Sequence, residues 1–65
     1  MLYPNLYIER KKRKETATFI AKELCITRQT YADKEKGKAD FTISEAFKLA
    51  ERYSKSLDYL FQRSM

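Results

Sequence analysis

Apolar positions along the 65 residues recur at helical spacing and nowhere alternate strictly, as a half-buried strand would require. Phe19, Ile20, Ala21 and Leu24 make one stripe. Ala46, Leu49, Ala50 and Tyr53 make a second, and Leu57, Leu60 and Phe61 a third. End signals bracket these stripes. Asn5, after Pro4, predicts the N-cap of a first helix reaching about Lys14. Thr16 predicts the cap of a second helix and Thr27 that of a third, covering Arg28 to Lys36. Gly37 then stands where a C-cap glycine belongs. Thr42-Ile43-Ser44-Glu45 is a capping box that opens a fourth helix, and Ser56, with Asp58 in the first turn, opens a fifth. The pattern predicts an all-α fold, a compact five-helix bundle forming one domain over residues 1–65.

Only Cys25 and Ile26 separate Leu24 from the Thr27 cap. Helices joined so tightly cannot lie antiparallel and must cross steeply, which is helix-turn-helix geometry over about residues 17–36. In such a crossing Ala21 lets the two helices approach, while Leu24 and Ile26 fill the space beneath the turn.

Composition narrows the chemistry. One glycine and one proline leave little material for hairpin turns. A single cysteine, Cys25, and the absence of histidine exclude a disulfide framework and an ordinary zinc site. No nucleophile–base pair, phosphate loop or paired carboxylates stand out, so no catalytic residue, metal or cofactor is expected and the chain reads as no enzyme. No apolar run approaches the roughly 20 residues that span a bilayer, and the first residues lack a signal pattern; a cytoplasmic protein with no membrane partner is the expectation. The net charge of +5 is one-sided. Residues 1–38 hold ten Lys/Arg against five acids, whereas residues 39–65 hold four of each. A basic half of this kind suits a polyanion, although a solvated surface without a partner has the same composition.

The stretch Thr16–Lys38 resembles the helix-turn-helix of the lambdoid phage repressor and Cro superfamily, the XRE family. Thr16, Ile20-Ala21, Leu24, Ile26-Thr27, Arg28-Gln29-Thr30, Glu35 and Gly37-Lys38 carry the likeness. Leu49-Ala50 and Ser56-Leu57-Asp58-Tyr59-Leu60-Phe61 extend it over nearly the whole chain. The resemblance implies a lambda repressor-like DNA-binding domain, bacterial or prophage-encoded and nucleoid-associated. It implies Arg28 and Gln29 as base readers, with Thr30 nearby and Asp33 one turn on. Their chemistry agrees: Arg28 can pair with guanine O6/N7 and Gln29 with adenine N6/N7. Asp33 could accept from cytosine N4, or restrain Arg28 or Gln29 by a side-chain hydrogen bond. Thr27 leaves the first amides of the third helix facing a phosphate or base edge, and Lys36, Lys38 and either Arg10 or Lys14 are expected on phosphates. The family pattern also pairs Arg10 with Glu35 as a structural bridge.

Three positions depart from that pattern. Cys25 takes the turn position where the family usually has glycine, so a strained or left-handed backbone is expected there. Ala17 replaces a glutamine and deletes a phosphate contact, and Tyr31 replaces a small aliphatic core residue.

Two functions follow. One is a transcriptional regulator that occupies a double-stranded DNA operator, as a symmetric homodimer with one third helix in each of two successive major grooves. The other is a small modulator that docks on a phage repressor, or an antitoxin that docks on a toxin. Tyr59, Leu60 and Phe61 exceed what one small core needs, and serve equally as a two-fold interface or as closure of the monomer core.

Overall fold

Hydroxyl side chains start four of the five helices. Thr16, Thr27, Thr42 and Ser56 each hold extended backbone, and each side-chain oxygen accepts from the amide three residues on. At Thr42 the capping box closes in both directions, because the Glu45 carboxylate accepts from the Thr42 amide at 2.9 Å. The computed structural model describes residues 2–63. Its elements are α1 (Pro4–Lys12), α2 (Ala17–Glu23), α3 (Arg28–Lys36), α4 (Ile43–Tyr53) and α5 (Leu57–Leu60), with no strand among the described residues.

The first helix differs from the sequence expectation at both ends. Tyr3 occupies the N-cap without a side-chain bond, and Pro4 takes the first helical position, where its fixed φ fits and its missing N–H is not needed. Asn5 instead reaches across the molecule: its amide donates to the Tyr59 carbonyl at 2.9 Å and to Gln62 Oε1 at 3.3 Å. At the far end Lys14 is not helical. It turns left-handed at φ 56°, and the Glu15 amide closes back on the Arg10 carbonyl.

The same closure ends α1 to α4. The left-handed residue is Lys14, Cys25, Gly37 or Ser54, and the following amide bonds the carbonyl five residues back in every case. This Schellman arrangement satisfies carbonyls that a helix end leaves open. Gly37 adopts it without strain, whereas the three non-glycine residues accept a cost on the order of 1 kcal/mol each.

Tyr3, Leu6, Ile20, Ala21, Leu24, Tyr31, Leu49, Tyr53 and Leu60 form one core. The α2–α3 crossing is its most extensive helix pairing. A second layer is aromatic: the Tyr3 and Phe61 rings meet edge-on at 5.4 Å between centroids, and Phe41 lies 5.3 Å from Phe61. Phe61 is half-buried in this layer. Tyr59 is 36% exposed, and its hydroxyl donates to Glu9 on α1. Phe19 departs from expectation. It is 44% exposed, with the Arg52 guanidinium 5.0 Å above its ring, because Ile20 and Ala21 already fill the space against α3.

Candidate nucleic-acid interface

The surface around the start of α3 is built by what the fold holds fixed and what it leaves free. Thr27 accepts from the Thr30 amide at 3.1 Å and gives its proton to the Thr30 hydroxyl at 2.8 Å. The Thr27 side chain is therefore consumed by the cap, which leaves the Arg28 and Gln29 amides of the first turn without an intrahelical partner. Arg28 and Gln29 are exposed on that turn, while Thr30 and Asp33 are half-buried. Gln29 Nε2 donates to Asp33 Oδ1 at 2.9 Å, so of the two bonding partners open to Asp33, Gln29 is the one it takes.

Beneath this surface lies a buried ionic network. Arg10 Nε and Nη2 each donate to one oxygen of Glu35 at 3.0 Å, a bidentate pair between α1 and α3. The remaining arm, Nη1, donates to the Glu15 carbonyl at 2.9 Å. Tyr31, fully buried, completes the set by donating its hydroxyl to Glu35 Oε2 at 2.6 Å. Burial pushes the Tyr31 phenol well above its usual pKa, and the Glu35 carboxylate adds to the shift. The phenol is a fixed hydrogen-bond donor. Arg10 does not fit the phosphate contact expected of it, because all three guanidinium nitrogens serve the fold and the side chain is buried.

A second link has no short-range signal in the sequence. Lys34 Nζ donates to Glu45 Oε1 at 2.6 Å, with both side chains about nine-tenths buried. It joins the end of α3 to the start of α4 and takes one α3 cation off the free surface. Arg13 pairs with Glu9 at 2.7 Å, and Arg52 bridges Glu15 and Glu23. Of the cations expected at the interface, Lys14, Arg28, Lys36 and Lys38 are exposed and outside the ion pairs found among the described residues, as are Lys11, Lys22, Lys48, Lys55 and Arg63 elsewhere on the surface. A groove between α1 and α3 carries Tyr7, Arg28 and Lys36 on its walls, and Ala17 and Ala32 leave it open. No helix among the described residues is long and apolar enough to cross a membrane, and no cluster of three metal-ligating side chains occurs among them.

Packed helices α2 and α3 joined by a short turn, a left-handed residue at that turn and an exposed first turn on the second of the two helices define a helix-turn-helix. A model of the family described as helix-turn-helix matches residues 6–60. The chain belongs to this XRE-type family of DNA-binding regulatory domains. Neither the curated proteins nor the solved structures give a match.

Proposed function

We propose that this chain is a sequence-specific transcriptional regulator of the phage repressor or Cro type, acting in the cytoplasm by occupying an operator and performing no catalysis. The observation that carries the reading is the first turn of α3, where Arg28 and Gln29 face solvent, in a chain whose Lys14, Lys36 and Lys38 are exposed and outside its ion pairs. In this reading Arg28 and Gln29 read bases, with Thr30 and Asp33 beside them, and the Thr27 end of the helix and the three lysines meet phosphates. The longest dimension of the domain is 25 Å, whereas successive major grooves on one face lie about 34 Å apart. One copy therefore reads one half-site, and a palindromic operator takes two.

The test is duplex binding as salt rises. Two copies with three lysines each make about six phosphate contacts, so affinity should fall roughly 1,000-fold between about 50 and 200 mM salt. Lys38→Ala should weaken all duplexes alike and flatten the logarithmic salt slope by about 0.9 per contact. Gln29→Ala should erode discrimination between duplexes. Salt-independent binding would refute the nucleic-acid reading.

A second reading, a modulator docked on a phage repressor or an antitoxin docked on a toxin, draws on one feature. Ile43 and Phe47, one turn apart on α4, are 76% and 57% exposed. Absence of duplex binding together with a stoichiometric complex with a co-expressed neighbouring gene product would favour it.

A further inference from the structure

We infer that Asp33 is a specificity-determining residue that commits Gln29 to adenine and turns it away from guanine. The inference rests on the regulator reading and adds to it which base is selected, and by what device.

Gln29 and Asp33 stand one turn apart on the face of α3 that carries the exposed first turn, joined by the 2.9 Å bond from Nε2 to Oδ1. A carboxylate only accepts hydrogen bonds, so the Gln29 amide must turn its nitrogen toward Asp33. That fixes what is left for a ligand: the oxygen Oε1, with its lone pairs, and one N–H. In the major groove adenine presents a donor, N6–H, beside an acceptor, N7. The remaining acceptor and donor of Gln29 match that edge. Guanine presents two acceptors, O6 and N7, and satisfying both takes two N–H groups. One of these is already given to Asp33, and a carboxylate beside guanine O6 adds repulsion between like partial charges. Without Asp33 the amide rotates freely and serves either purine.

The experiment is selection from a pool of duplexes with a randomised core, followed by titration of single-base variants of the selected site. The base pair read by Gln29 is the one whose preference disappears in Gln29→Ala. At that pair the wild-type chain should prefer adenine to guanine by roughly 5- to 150-fold. Asp33→Ala should bring the two purines within about threefold while leaving other positions unchanged. Asp33→Asn, whose side-chain oxygen still accepts, should keep most of the preference. An unchanged purine ratio in Asp33→Ala would overturn the inference and leave the regulator reading standing. So would loss of a cytosine preference that Gln29→Ala leaves intact, since Asp33 would then read a base itself. Failure of the wild-type chain to select any sequence would overturn both.

Discussion

Replacing Arg10 by methionine tests whether the buried network holds α3 in place. Side-chain exposures of 8% for Arg10 and 10% for Glu35 exclude the solvent-screened regime, in which an ion pair contributes at most about 1 kcal/mol. Arg10→Met keeps most of the apolar stem but leaves the Glu35 carboxylate buried with the Tyr31 hydroxyl as its remaining partner in the network. Removing one member of such a pair costs about 3–5 kcal/mol. A domain of 65 residues, at about 0.05–0.15 kcal/mol per residue, has roughly 3–10 kcal/mol in total. Arg10→Met should therefore lose from about a third to all of the domain's stability. Removing the whole network is different. In Arg10→Met/Tyr31→Phe/Glu35→Leu no charge or hydroxyl of the set stays buried alone, and most of the lost stability should return. Urea unfolding followed by far-ultraviolet circular dichroism measures all three chains. A loss below about 1 kcal/mol in Arg10→Met would refute the assignment of this pair as a buried structural clamp. A triple variant no more stable than the single one would refute the argument from the stranded charge.

The pH profile should be level through neutrality and fall in acid. Glu9 is held below the usual carboxylate range by the Arg13 hydrogen bond. Burial pushes Glu15 and Glu45 up, but Arg52 and Tyr53 on the first, and Lys34 and the Thr42 amide on the second, outweigh it. Carboxylates lowered on folding stabilise the fold above an unfolded pKa of about 4.3, and that stabilisation drains as pH falls through the folded values. With no histidine in the chain, the thermal midpoint should hold between about pH 8 and 5 and drop below about pH 4. A midpoint that already declines between about pH 7 and 5.5 would contradict these pairings. Gly37→Ala places a Cβ 2.6 Å from a Leu2 side-chain carbon at φ +91°. It should cost about 1–2 kcal/mol and lower the melting midpoint by some 4–8 °C per kcal/mol; an unchanged midpoint would show that the closure of α3 does not depend on glycine.

What was legible in the sequence is what acts over one helical turn. Thr16, Thr27, Thr42 and Ser56 cap because their oxygens reach an amide three residues on, a relation fixed before any tertiary contact forms. The short Cys25-Ile26 connection fixed the crossing for the same reason. Asn5 shows the limit: its composition suits a cap, but Pro4 took the first helical position and a partner 54 residues away took its side chain. Lys34 looked like one more cation on a basic face, and nothing in its neighbourhood announced Glu45, eleven residues on in another helix. Arg10 matched two roles at once, and burial decided between them. The Asp33–Gln29 bond, at one-turn spacing, was among the open alternatives, and geometry selected it.

The bonds from Asn5 to Tyr59 and Gln62, and from Tyr59 to Glu9, tie the first helix to the last. Such a tie makes the chain a loop closed on itself. α1 and α5 cannot separate without breaking these bonds, and α5, four residues long, has no independent existence to fall back on. Amide protons of α1 and α5 should consequently exchange in one all-or-none opening, so that the platform presenting α3 is either whole or gone.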